Sequence, residues 1–448
     1  MLRLLVSDLV ANARMWLAVL LVCAASGGVV SVSAAIAETA YRTPGLVGLA
    51  LYSVSGTLTT FTAIATVVVL GSVARLTVAL QRRSHALWQL VGVRPGAIRL
   101  IVLGQLLAVG ALGALVGALA AAPFLQPFAD YVFAEAEGLG DVRLRIGPVG
   151  VVGTVVLVSL LVLAGGSGAA RRASRVTGLE LLGEAAVPRL TMSRTRWVVS
   201  GVLFLVVGSI VASLPGRPVE DVGNPLTLLA PLLSGALVAV GPVLTPALAR
   251  TWTRVVPPEA SASWYLARNV ALADLDRSTA AINPLVVMIA LTGGLWSAHG
   301  TTAAVQESRT GIASADIPIS SLVFLLGGPL LLAAVGAATT VAVSGRARTR
   351  DAALIETAGG TPGLVVATAA WEAVVQVGTA TLLALVAVGT TAVAGAWAVG
   401  SWTLDPGALG LPALGVTAGA ALLLVLTATV VPAVLRLRLD PVAVLSAE

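Results

Sequence analysis

Ten stretches of about twenty apolar residues recur along this 448-residue chain, and nothing else constrains its fold as strongly. They lie at roughly 15–36, 57–80, 98–122, 148–167, 198–214, 227–249, 280–298, 319–343, 364–398 and 411–435. A helix needs about 20 apolar residues to cross the hydrocarbon core of a bilayer. In lipid, only helices and closed barrels satisfy every backbone polar group, and runs of this length read as helices. The expected fold is all-α: a polytopic membrane protein of ten transmembrane helices. Composition agrees, with 57% apolar and 11% charged residues, where a soluble domain carries about 25% charged. The ninth stretch is too long for a straight crossing, which predicts tilt or an extension along the interface. The seventh opens on the polar pair Asn283-Pro284.

Orientation follows from arginine. Lysine is absent, so all 27 basic residues are Arg. With the N-terminus in the cytoplasm, 22 of them fall inside. Outside remain Arg42, Arg143, Arg145, Arg217 and Arg309. The positive-inside rule therefore predicts ten crossings with both termini cytoplasmic. Trp16, Trp197, Trp252, Trp264 and Trp371 fall near inner boundaries and Trp296, Trp397 and Trp402 near outer ones, as an aromatic belt would. The net charge of +6 does not point to nucleic acid, because the arginines flank apolar spans. A lysine-free chain rich in Ala, Val, Gly and Arg suggests a GC-rich bacterial genome, and hence a plasma membrane. The first span has the look of a secretory signal, with an Arg-bearing start and small residues at Val32-Ser33-Ala34. The internal repeat described next argues that it is retained. Cys23, the single cysteine, lies in that span and cannot form an intrachain disulfide.

The chain repeats itself. Gln81 to Gln105, QRRSHALWQLVGVRPGAIRLIVLGQ, matches Arg348 to Glu372, RTRDAALIETAGGTPGLVVATAAWE, at one offset of 267 residues without a gap. Arg83 pairs with Arg350, Leu87 with Leu354, Gly92 with Gly359, Pro95-Gly96 with Pro362-Gly363, and Gln105 with Glu372. A set in register argues for duplication. The polar lead-ins Leu4 to Arg14 and Leu266 to Ser278 also correspond, and both read as amphipathic helices on the inner surface. So do the basic tails Arg175 to Glu184 and Arg438 to Glu448. The expected organisation is a first half over 1–190, two linking spans over 191–255 and a second half over 256–448. Each half starts inside and has four spans, so the repeats are parallel. In each repeated loop a short helix ends at glycine and proline starts the next span. Leu87, Leu90 and Val91 share one side of the first short helix.

Arg, a short helix with Leu-x-x-x-x-Gly, then Pro-Gly and a long small-residue span: this pattern resembles the FtsX-like permease domain of ABC transporters of the MacB, Lol and Bce type. Two such domains with two central spans resemble the ten-span, Bce-type permeases most. The resemblance implies a membrane subunit that couples ATP hydrolysis to transport. It implies coupling helices that fit a separate ABC ATPase, in two copies, through Arg83, Leu87, Gly92, Val93, Arg94, Pro95, Arg350, Leu354, Gly359, Gly360 and Pro362. ATP and magnesium would sit on that partner, and no cofactor on this chain. Family members carry a sizeable outer domain after a first span. Here Ala37 to Gly56 and Gly300 to Pro318 are about twenty residues each, too short for a core. The expected substrate is therefore hydrophobic or amphiphilic, entering from the membrane and exported.

The longest outer loop, Pro123 to Pro148, carries Asp130, Glu135, Glu137 and Asp141, and Val142 to Ile146 alternates like a strand. Its acidity suits a cationic substrate or an ordinary solvated loop. Gly104, Gly110, Gly113, Gly117 and Ala121 permit close packing. Glu372 and its counterpart Gln105 are the candidates for a translocation path, and snorkelling of Glu372 to the inner interface is the competing expectation. A P-loop needs a lysine, so the chain cannot itself be the ATPase. His85 and His299 fall on opposite sides of the membrane, and no metal-ligand spacing or nucleophile elbow occurs. Two other readings stand beside export: a mechanotransmission permease acting on an outer partner, and an ion-driven secondary transporter built from parallel repeats.

Overall fold

A computed structural model describes residues 7–9, 12–134, 142–174, 192–257, 259, 261–273, 275–310, 317–343, 352, 354–400 and 409–436. Among these there are helices, turns and short connections, and no strand. The helices are α1 (Ala13–Arg42), α2 (Leu46–Leu80), α3 (Arg82–Leu90), α4 (Pro95–Ala121), α5 (Leu125–Phe133), α6 (Pro148–Ala173) and α7 (Arg194–Ala212). They continue with α8 (Val219–Trp252), α9 (Ala262–Ala273), α10 (Leu275–Thr310), α11 (Ile319–Val343), α12 (Pro362–Val399) and α13 (Leu411–Arg436). Ten are long and apolar enough to cross a membrane: all but α3, α5 and α9. The protein is an all-α, multi-pass membrane protein.

Several helices outrun the apolar stretches that announced them. At 1.5 Å per residue the 35 residues of α2 span about 52 Å, beyond the ~30 Å hydrocarbon core. The loop expected over 37–56 is consequently helical, and only Thr43 to Gly45 turns between α1 and α2. Gly45 makes that turn with φ +91°. The long ninth stretch is one continuous 38-residue helix, α12. The expected strand at Val142 to Ile146 is not formed: Val142 to Gly147 has no regular structure. Leu144 is instead tied by its N–H to Gln126 Oε1, 2.9 Å away on α5. A solitary alternating segment has no neighbouring strand to pair with. Glu135, Glu137 and Asp141 lie outside the described residues, as do both basic tails.

Packing divides the chain into two units that do not coincide with the sequence halves. Unit 1 is Met1–Ala186 with Ala315–Thr339, and unit 2 is Val187–Ser314 with Thr340–Glu448. The ten spans thus fall five and five. In unit 1, α1 packs on α4, α2 and α6, and α4 and α2 each pack on α6. Glycine brings the backbones together: Gly113 and Gly117 of α4 lie against Cys23 and Ala24 of α1, leaving no room for a Cβ. Unit 1 also holds nearly all of α11. Phe324 packs on Phe128 and Phe133, ring centroids 6.1 and 5.8 Å apart. Gly328 meets Val29 and Gly336 meets Val69. These three contacts share one face of α11.

In unit 2, α10 packs on α12, α8 and α13, which repeats the α1–α4–α6 arrangement. The linking span α8 lies against α10 and α12, and α7 against α8. The second lead-in, α9, packs on α12 rather than lying free on a surface. Trp264 is buried there, edge-on to Trp371 at 5.3 Å and to Trp252 at 6.2 Å. Trp16 is buried as well. These two tryptophans belong to the interior, not to an aromatic belt.

Candidate functional site

The two repeated loops are built alike to the level of single hydrogen bonds. In the first, the N–H of Val91 bonds Leu87 O, that of Gly92 bonds Gln89 O, and that of Val93 bonds Trp88 O. In the second, Ala358 bonds Leu354 O, Gly359 bonds Glu356 O, and Gly360 bonds Ile355 O, each 267 residues on. Both are Schellman closures, which need a left-handed residue after the helix. Gly92 supplies it at φ +92° and Gly359 at φ +89°. The next helix then starts in the same way twice. Ala97 and Ile98 N–H bond Arg94 O, and Leu364 and Val365 N–H bond Thr361 O. Arg94 and Thr361 are extended, as a residue before proline must be, and Pro95 and Pro362 open α4 and α12.

Each loop presents leucine outward. Leu87 is 50% exposed and Leu354 51%. Leu90 and Val91 extend the first ridge, Val91 being 86% exposed, and Arg94 beside them is exposed too. In the second loop Thr357 and Ala358 hold those places, so its ridge is less apolar. The inward side of α3 holds it to unit 1. His85 and Ala86 are buried, the His85 ring stands edge-on to Trp88 at 5.5 Å, and Gln89 Nε2 reaches Ser174 O at 3.5 Å. Burial lowers the His85 pKa below its ordinary value, and the nearby Asp8 carboxylate opposes that shift. Arg83 lies on α3; Arg350 lies outside the described residues.

Gln105 and Glu372 occupy matching places, Gln105 in unit 1 and Glu372 in unit 2. Gln105 Nε2 donates to Asp8 Oδ2 at 2.9 Å, and Asn12 Nδ2 donates to Asp8 Oδ1 at 3.0 Å. The lead-in is thereby bonded to α4. Glu372 is 4% exposed and its Oε1 accepts from Gln376 Nε2 at 3.0 Å. It does not snorkel. Glu372 lies on the face of α12 that Val365, Thr368, Val375, Gln376 and Thr379 also bury, so its polar side chain is held by hydrogen bonding.

Two further features were not anticipated. Trp252 Nε1 donates to Thr379 Oγ1 at 2.9 Å, which ties α8 to α12 beside the tryptophan cluster. Thr77, Gln81 and His85 form a buried polar line across the α2–α3 junction. Their four-residue spacing was readable in the sequence; their burial was not. No group of three or more His, Cys, Asp or Glu side chains capable of holding a metal occurs among the described residues. No protein-family model matches this chain, and no curated protein matches it.

Proposed function

We propose that this chain is the membrane subunit of an ABC transporter of the FtsX-like kind. It couples ATP hydrolysis by a separate ATPase to export of a hydrophobic or amphiphilic substrate across a bacterial plasma membrane, with both termini cytoplasmic. The doubled loop carries the reading. Two loops 267 residues apart have the same five hydrogen bonds, the same left-handed glycine and an equally exposed leucine. An exposed apolar ridge on a rigid helix is a partner surface rather than a solvated turn. Its duplication suits a partner present in two copies, which would bring ATP and magnesium. The three-residue α1–α2 turn leaves no outer domain at that connection, which favours a substrate that enters from the bilayer.

The test is co-purification with candidate ATPase subunits, comparing wild type with Gly92→Val plus Gly359→Val. No atom lies within 4 Å of a Cβ at either glycine, so the damage is confined to the loop conformation. ATPase binding at least tenfold weaker in a variant that keeps its thermal midpoint would support the proposal. Undiminished binding by the variant, or no ATPase binding to wild type, would sink it.

A further inference from the structure

Threonine inside a membrane helix ordinarily turns its hydroxyl onto a carbonyl three or four residues back. On α8 and α10, Thr227, Thr251, Thr292, Thr301 and Thr302 do so. Thr245 and Thr279 do not. They are 2% and 1% exposed, and neither Oγ1 has a hydrogen-bond partner among the described residues. The two sit level with each other. Helices α8 and α10 run antiparallel, with Gly223 against Thr302, Ala230 against Gly294 and Gly241 against Asn283. One turn further along that register, Thr245 reaches the level of Thr279. A Cβ at Gly241 would lie 3.5 Å from Thr245 Oγ1 and 3.7 Å from Asn283 Oδ1. Nothing else of α10 or α12 comes within 4 Å of it among the described residues. Glycine thus leaves a small gap walled by two side-chain oxygens.

Three prolines add backbone oxygens to the same level. Proline has no N–H to close the helical bond to the carbonyl four residues back. Pro242 and Pro246 on α8 therefore deprive Val238 O and Pro242 O of that bond, and Pro284 on α10 deprives Ala280 O. Val238, Pro242 and Ala280 are all buried. Inside a membrane such carbonyls need another partner. A carboxylate lies close by along α12. On the parallel pair α10–α12, Gly293 meets Val388 and Thr301 meets Gly395. That register sets Thr279 and Asn283 level with the stretch around Gln376, which is bonded to Glu372.

We propose that this gap between α8 and α10 in unit 2 binds a monovalent alkali cation. Thr245 Oγ1, Thr279 Oγ1, Asn283 Oδ1 and the proline-released carbonyls of Pro242 and Ala280 supply neutral oxygens. Such a donor set replaces the water shell of Na+ or K+. A divalent ion would call for several carboxylates. Among the described side chains, α8, α10 and α12 bring only Glu372 near this level, and its charge offsets that of one monovalent ion at low dielectric. Binding needs no partner protein.

The experiment follows the thermal midpoint of the full chain in detergent as NaCl or KCl replaces choline chloride at constant ionic strength, which holds general screening fixed. A ligand of the folded state raises the midpoint saturably. Wild type should gain several degrees in one or both alkali salts, and the salt that acts at the lower concentration identifies the ion. In Gly241→Ala the added methyl meets both oxygens at ordinary contact distance and occupies the gap. The fold should persist while the half-effective concentration rises at least tenfold. Thr245→Val plus Thr279→Val should have the same effect. Thr227→Val plus Thr292→Val, which removes hydroxyls already bonded within their helices, should keep the wild-type response. Equal midpoints of wild type in all three salts would mean that the gap holds water alone, and would overturn the proposal. So would a response undiminished in Gly241→Ala, since the cation would then bind elsewhere.

Discussion

Single residues decide how closely this chain's backbones approach. Gly117 faces the Ala24 carbonyl of α1 with no space for a methyl group. Gly117→Ala should therefore destabilise the protein by about 2 kcal/mol, the usual cost of overpacking a tight core. Gly153→Ala, where nothing lies within 4 Å of a Cβ, should be neutral or stabilising by about 0.5 kcal/mol, because alanine is the better helix former. Reversible unfolding in mixed micelles would compare the two, and equal effects would contradict the packing of α1 on α4. His85 gives a pH dependence of known sign. Burial lowers its pKa against the partial opposition of Asp8. A base whose folded pKa is depressed stabilises the fold fully above its unfolded value, about 6.5. That contribution is lost as pH falls from there towards the lowered folded value. The thermal midpoint of wild type should drop between pH 7.5 and 5.5 by more than that of His85→Phe. Parallel profiles would remove His85 from the anchoring of α3.

Among the elements, α11 departs furthest from what its place in the repeat suggests. It corresponds to α2, yet its Phe324, Gly328 and Gly336 face makes it a span of unit 1. A Cβ on Gly328 would stand 3.5 Å from Val29 Cβ, within the range for a disulfide. Val29→Cys with Gly328→Cys, in a Cys23→Ala background, should crosslink under mild oxidation, seen as a mobility shift that reductant reverses. Failure to crosslink in native membranes would take α11 out of unit 1. The lead-in α9 shows the same principle on a smaller scale. Its period suits an interfacial helix, but Trp264, Ala267 and Ala271 find a better surface on α12 than lipid headgroups offer. Glu372, next to Trp371 in sequence, lies on the buried face of α12 and accepts a hydrogen bond from Gln376 one turn on.

At the scale of the whole molecule, the ten membrane-length helices fall into two units of five, where the sequence repeat led to an expectation of four, two and four. The ten crossings, their order and most of their boundaries were legible, because lipid demands long apolar runs and such runs leave few alternatives. The two loops were legible to the residue, because a Schellman closure needs glycine at one position and a helix start favours proline three residues on. Gly92 and Gly359, Pro95 and Pro362 are where local chemistry alone dictates the backbone. Helix ends at Arg42 and Thr310 were less legible, since nothing apolar marks a helix that continues beyond the hydrocarbon. What the chain's order of residues determined by itself is thus the set of membrane helices and the twin loops, both governed by local hydrogen bonding and solvent. Which span packs with which, and whether Trp16, Gln81, His85 and Glu372 face protein or surroundings, only the tertiary structure decided. Apolar residues cover most of every span's circumference, so periodicity carries little mark of its neighbour; that choice rests on where small residues such as Gly117 and Gly328 let two backbones meet.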